Sequence, residues 1–515
     1  MASRTKNVTI NSIVSIVTRI IMFIFQFACR TVFIKALSTE YLGVNGLFTN
    51  ILTILSFAEL GIGNAILFKL YKAVANDEKE EIKKYLHFYK KTYIIIGIIV
   101  LIVGVLIAPF LQYIIKDAPS IKESIVLIYL LFILNSAVSY FFTYKRSIIY
   151  VYQKDYISRL IEFFVTLGLN IAQILVLIFT KNYILYLSLH IVATLLINII
   201  ISIKADKLYP FIKDKEYTKI SKEEEKGIFS DVRALILYKF GGILSNGTDN
   251  IIISTFVGIS KVGLLSNYTT ITSAITTLTT VLFESFQPSI GNLNAIAEDS
   301  KREKIYYEIL LISFYVFSIA FIGIAILSNP FITIWIGSEY ILETTVAIAI
   351  ALNIYIEGVR FANYTFRNTL GLYKQGKFVP LVSSLTNVGL SLILVKPLGI
   401  FGVLIATSIS TMFIMSSVDP YLLHKYKFNS SPKRYYITYF YYLVILCINY
   451  LVCNYVCNLI PIVGLLGFVI KAIVIVLITI IIDLVFTSKL KEFKDFWSRI
   501  KGYLNRLKAK FSKKK

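Results

Sequence analysis

Long apolar stretches recur along the whole chain, most of them about as long as a membrane-crossing helix, and this limits the possible folds before any motif is considered. A helix rises 1.5 Å per residue, so a hydrocarbon core about 30 Å thick takes roughly 20 residues to cross. Broken at charge clusters and at Gly and Pro, the chain leaves about fourteen runs: 10 to 37, 43 to 70, 92 to 115, 124 to 144, 157 to 180, 182 to 203, 228 to 257, 263 to 291, 305 to 328, 340 to 366, 378 to 395, 400 to 424, 435 to 459 and 462 to 487. Only 16% of the 515 residues are charged and 57% are hydrophobic. Soluble domains run near 25% charged, so this chain lacks the polar surface to cover a soluble globule. The expectation is an all-α integral membrane protein of about 14 transmembrane helices.

The charges set the orientation. Connections alternate between a basic set holding 41 Lys and Arg residues, which includes both termini, and a set holding six: Lys35, Lys116, Lys122, Lys181, Lys261 and Lys396. The positive-inside rule makes the first set cytoplasmic, and two cytoplasmic termini require an even number of spans. The N-terminal run follows Arg4 and Lys6 and lacks a small-residue cleavage site, so it reads as the first span rather than a leader. The formal charge of +23 sits between apolar runs and in the tail, which points to anionic membrane lipids and not to nucleic acid.

The pattern repeats near an offset of 220. Ala73-x-Ala75-x-Asp77-x-Lys79-x-Glu81 returns as Ala295-x-Ala297-x-Asp299-x-Lys301-x-Glu303, Arg146 with Tyr152 as Arg367 with Tyr373, and Leu42-Gly43 as Val262-Gly263. Cytoplasmic connections map onto cytoplasmic connections, so the copies share one orientation. The expected organisation is an N-lobe over 1–203, a cytoplasmic loop over 204–227 read as a solvated connector, a C-lobe over 228–424, an added helix pair over 425–487 and a basic amphipathic tail over 488–515. In that tail Leu490, Phe493, Trp497, Ile500, Leu504, Leu507 and Phe511 recur at three- and four-residue intervals, a pattern suited to the surface of an anionic membrane.

Six basic residues fall inside spans: Arg19, Arg30, Arg233, Lys239, Arg360 and Lys471. Ionised groups at bilayer depth cost a few kcal/mol or more and by default mark a substrate or ion path. At the repeat offset Arg19 falls on Lys239, each about ten residues, or about 15 Å, from its cytoplasmic helix end. Two cations near the midplane suit an anion; the alternative is that Glu59 or Glu284 neutralises them and they only lock helices together. Arg30 lies eleven residues beyond Arg19 on the same helical face, and Asp249 reaches similar depth in the other copy. That pair is read either as an outer gate or as a second anion contact beside a hydrogen-bonded carboxylate. Glu357 and Arg360, three apart, can pair on one face, as a structural ion pair or as part of the path. The eighth span carries Ser266, Thr269, Thr270, Thr272, Ser273, Thr276, Thr277, Thr279 and Thr280, hydroxyls spread widely enough to glue helices and also wet one face. Glu162, Asp419, Lys471 and Asp483 have no assigned role. Cys29, Cys447, Cys453 and Cys457 sit in apolar runs and His87, His190 and His424 lie far apart, so neither a disulfide, a metal nor a cofactor is expected.

The stretch Ala36-Leu37-Ser38-Thr39-Glu40-Tyr41-Leu42-Gly43-Val44-Asn45-Gly46-Leu47-Phe48, followed by Leu55-Ser56-Phe57-Ala58-Glu59-Leu60-Gly61-Ile62-Gly63-Asn64-Ala65, resembles the N-terminal signature of Wzx-type polysaccharide flippases of the MOP superfamily, relatives of MurJ and the MATE exporters. The resemblance implies two six-helix lobes in a V and alternating-access transport without enzymatic chemistry. The implied substrate is an undecaprenyl-pyrophosphate-linked oligosaccharide, carried from the cytoplasmic to the outer leaflet of a bacterial inner membrane for surface polysaccharide. It implies a monomer, working with polysaccharide assembly proteins, and basic residues around the cavity for the pyrophosphate, which Arg19, Arg30, Lys239 and Arg360 would supply here. Glu59, Asp249, Glu284 and Glu357 are the candidates for gating or ion coupling. Glu59, Asp249 and Glu284 also keep open a MATE-type cation-coupled exporter of small molecules. A MurJ-like cluster of basic residues at the start of the first span is missing. Short outer connections and the lack of a P-loop argue against a polymerase, a glycosyltransferase or direct ATP hydrolysis.

Overall fold

The computed structural model describes residues 2–59, 62–115, 119–214, 216–284, 286–287, 290–291, 293, 298–372 and 375–512, with side chains except at 2–13, 15–16, 20, 57–58, 64, 230–246, 281, 284, 503–504 and 506–512. The described residues form helices joined by short connections, without strands. In the first half these are α1 (Ala2–Ala36), α2 (Thr39–Leu55), α3 (Ile62–Ala75), α4 (Lys79–Ile107), α5 (Ile125–Val151), α6 (Asp155–Thr180), α7 (Tyr183–Leu208) and α8 (Lys222–Phe256). The second half holds α9 (Ile259–Glu284), α10 (Asp299–Trp335), α11 (Thr344–Val359), α12 (Phe361–Thr369), α13 (Val379–Ser410), α14 (Ser416–Leu423), α15 (Lys433–Asn458), α16 (Gly464–Thr487) and α17 (Lys491–Ser512).

Among the described residues, ten helical segments are long and apolar enough to cross a membrane, and each falls on an expected run. The shortfall from about fourteen has local causes. The second run is interrupted by a tight turn of helix at Ser56–Glu59. The seventh carries charge, the eighth is diluted by hydroxyls, and the eleventh and twelfth are joined through α13. Within α13 the chain does bend where a break is expected. Pro397 removes a donor, and Gly399 takes φ 57° and ψ −135°, a conformation that side-chain-bearing residues rarely adopt.

The chain divides into two compact units, Met1–Gly263 and Leu264–Lys515. The division falls beyond the expected 204–227 loop because α8 packs on α2 and α3, which draws it into the first unit. In that unit α4 packs on α5, α5 on α7 and α1 on α6. In the second, α10 is the central element, packed against α11, α15 and α16.

Most of the connector is exposed, and it is pinned to the first unit at a few points. Tyr209 is buried and stacks on Tyr152 at 4.4 Å, Tyr217 lies flat on His87 at 3.6 Å, and Ser221 and Glu224 form a reciprocal capping box at the start of α8. Lys84 pairs with Glu224 at 2.8 Å and Lys83 with Asp214 at 3.6 Å. Asp214 and Glu224 answer two lysines on α4, while most of the other described connector residues face outward.

A candidate anion and sugar cavity in the second unit

The cavity is built from three local features. The first is a break between α11 and α12 at Arg360, whose backbone caps the first helix and starts the second. The second is Gly358, two residues earlier. A side chain there would strike the Phe317 ring, with its first carbon 2.2 Å from the ring, so glycine lets Phe317 of α10 lie on the α11 backbone. Phe317 stacks on Phe283 at 5.6 Å, and Phe283 meets Phe361 at 4.6 Å, which makes an aromatic floor. The third is the hydroxyl row of α9. Thr276, Thr279 and Thr280 line the opposite wall, with Gln287, Ile354, Glu357, Arg360 and Tyr364 completing a cavity of 290 Å³.

The Thr276 hydroxyl donates to Thr272 O at 2.8 Å and that of Thr279 to Ile275 O at 2.9 Å. Each proton is thus held by its own helix, and the lone pairs remain to accept from a ligand hydroxyl. A floor of ring faces beside acceptors and an amide is the chemistry that takes a sugar, which presents C–H faces and O–H edges.

The charge comes from a four-residue network. Arg360 is buried, and its Nη1 donates to Glu357, whose side chain is 70% exposed. Its Nη2 lies 3.9 Å from Asp419 Oδ2. Asp419, at 0% exposure, also accepts from Arg367 Nη1 at 2.5 Å, and Arg367 is itself 2% exposed. Two arginines and two carboxylates are formally neutral together, but only Glu357 is open to exchange. An anion entering the cavity can take its place on Arg360 while Asp419 keeps both guanidiniums oriented, and a guanidinium binds phosphate oxygens in a bidentate fork. The short α12 is fixed from beneath, since Tyr306 donates to Asn363 Oδ1 at 2.5 Å and Asn363 Nδ2 donates to the Tyr435 hydroxyl at 3.0 Å.

The other sequence candidates fall elsewhere. Arg19 is exposed on α1 and forms no ion pair with a described residue; Arg30, farther along, is half-buried. Asp249 is half-buried on α8. Lys239 belongs to α8 and Glu284 ends α9, and both side chains lie outside those described. Glu59, in the turn that splits the second run, accepts from the Tyr93 hydroxyl at 2.7 Å. Tyr93 in turn stacks on Tyr89 at 4.4 Å. Of the eight candidates, only Glu357 and Arg360 are seen to share a site. Sequence reasoning missed Asp419, the aromatic floor and Gln287. It also missed a second cavity of 190 Å³ in the first unit, lined by Asn45, Thr49, Asn135, Tyr186 and His190 among others. Asn135 there accepts from Thr194 at 2.7 Å.

No protein-family model and no curated protein sequence matches the chain. Solved structures do. The chain is similar to the lipid II flippase MurJ in an inward closed conformation, at 17% identity and a TM-score of 0.63, over 93% of this chain and 99% of that one. It is similar to a multidrug resistance MATE family transporter in an inward-facing conformation, at 15% identity and 0.61, over 76% and 91%. It is also similar to a MOP superfamily transporter from Pyrococcus furiosus, at 16% identity and 0.51, over 80% and 93%. The fold is therefore that of the MOP superfamily transporters, and the chain is a multi-pass membrane protein.

Proposed function

We propose that this protein is a flippase that carries a lipid-linked, pyrophosphate-bearing oligosaccharide from the cytoplasmic to the outer leaflet by alternating access. The reading includes undecaprenol as the lipid, a bacterial inner membrane with both chain termini in the cytoplasm, and surface polysaccharide as the destination. It takes 1–203 and 228–424 as duplicated lobes. The observation that carries it is the buried Arg360 in a cavity of ring faces and hydroxyls, held by a buried carboxylate and covered by one exchangeable carboxylate. That combination matches a ligand with an anionic end and a sugar end. The lipid tail can stay in the bilayer while the head crosses, so the tail is never desolvated from its own medium. Arg19, Arg30 and Lys239 serve the same anion at other stages of the cycle.

The direct test is surface polysaccharide in cells relying on a plasmid copy of the gene. Arg360→Ala, Arg19→Ala and Lys239→Ala each abolish display with membrane protein level intact, whereas Glu357→Gln preserves it. Normal display in all three arginine and lysine variants overturns the reading.

One observation favours a cation-coupled exporter of small molecules instead. Glu59 is a half-buried carboxylate that accepts from the Tyr93 hydroxyl, and such a group at membrane depth suits an organic cation or a coupling ion. On that reading deletion sensitises cells to cationic drugs and leaves polysaccharide unchanged.

A further inference from the structure

The tail helix α17 shows three sectors when its residues are placed 100° apart. Glu492, Asp495 and Arg499 share one sector about 60° wide. All three are engaged by the second unit: Glu492 by Arg434 at 2.9 Å, Asp495 by Lys304 at 2.9 Å, and Arg499 by Glu308 at 2.9 Å. Phe493, Phe496, Trp497 and Ile500 form the next sector, with Trp497 47% exposed and stacked on Phe493. Lys491, Lys494 and Lys501 occupy the third, all exposed, with Lys501 Nζ 6.0 Å from the Trp497 ring.

Both carboxylates are thus turned inward and only cations remain outward. The partners of the inward sector, Lys304, Glu308 and Arg434, lie in the first turns of α10 and α15, on the basic side of the membrane. Only three residues separate the helix from the end of α16, so it lies at the level where the spans leave the bilayer. A row of lysines flanking an aromatic sector at that level matches the headgroups and upper acyl chains of anionic phospholipid.

We infer that α17 is a clamped lipid-binding helix: its acidic sector is fastened to α10 and α15, and Lys491, Lys494, Lys501 and Trp497 hold an anionic phospholipid surface. The helix then couples the cytoplasmic ends of α10 and α15 to the composition of the inner leaflet. The inference is independent of which substrate is carried.

The chain has two tryptophans, so full-length Trp335→Phe protein reports on Trp497 alone. It is placed in nanodiscs of phosphatidylcholine, or of phosphatidylcholine mixed equally with phosphatidylglycerol, with brominated acyl chains in each. Quenching is expected to be stronger with phosphatidylglycerol and to weaken in high salt. Lys491→Gln, Lys494→Gln and Lys501→Gln should lower the apparent affinity for the anionic surface by about fivefold each. Equal quenching in both lipids, or quenching indifferent to salt and to the lysines, overturns the proposal. If the triple variant unfolds, the salt titration of the Trp335→Phe protein decides alone.

Discussion

Arg146 and Arg367, which the sequence pattern sets 221 residues apart, each pair with a carboxylate, but under opposite conditions. Arg146 grips Glu162 through both Nη atoms where the two side chains are 37% and 34% exposed. Arg367 holds Asp419 where they are 2% and 0% exposed, and Asp419 also faces Arg360. The first pair borders the medium and shares its charge with it. The second is buried, and its carboxylate also faces Arg360 in the cavity. The same kind of pair is thus a half-exposed brace in one unit and a buried support for Arg360 in the other.

That contrast can be broken experimentally. Asp419→Ala leaves two buried arginines without their common partner and should cost about 3–5 kcal/mol. The protein should melt far below the parent in detergent, and Asp419→Glu should recover part of the loss. Gly358→Ala, which drives a methyl into Phe317, should cost about 1–3 kcal/mol by overpacking and also shrink the cavity, read as lost stability together with lost export. Glu162→Ala should change stability by no more than about 1 kcal/mol, as expected for a half-exposed pair. Comparable melting losses for Asp419→Ala and Glu162→Ala would erase the distinction between the two copies.

The smallest effect sharpens the comparison at the basic helix ends, where α4 fastens the connector and α10 fastens the tail. The Lys84 ammonium, followed by the Ser221 backbone, lowers the Glu224 carboxyl below its ordinary 4.5. A depressed carboxyl stabilises the fold above its unfolded value, and that contribution disappears as pH falls through the depressed one. Limited proteolysis of residues 214–221 should therefore accelerate only below about pH 4.5. In Lys84→Gln the acceleration should be present at neutral pH.

Much of this was legible in the sequence where the partners are close along it. Glu357 and Arg360 are three apart, and the hydroxyls of α9 recur along one helix, so both features survive as patterns. Asp419 stands 52 residues from Arg367, and nothing in a linear reading selects it over Glu162 or Asp483. The turn at Ser56–Glu59 was hidden because an apolar run shows length but not where its helix is interrupted. The connector's composition concealed its docking, since lysines and glutamates look the same whether they face water or one another. Phe283, Phe317 and Phe361 were indistinguishable from the many other aromatic residues of an apolar chain.

Gly358 and Phe317 also bear on how such a cavity could diversify. Because the ring rests on bare backbone, the depth of the cavity is governed by one uncharged side chain. Trimming position 317 to leucine or valine would deepen the chamber and leave the guanidinium where it is. Under the proposed function, room for a bulkier sugar could therefore change through a position that carries no charge, separately from the guanidinium that would hold the phosphate.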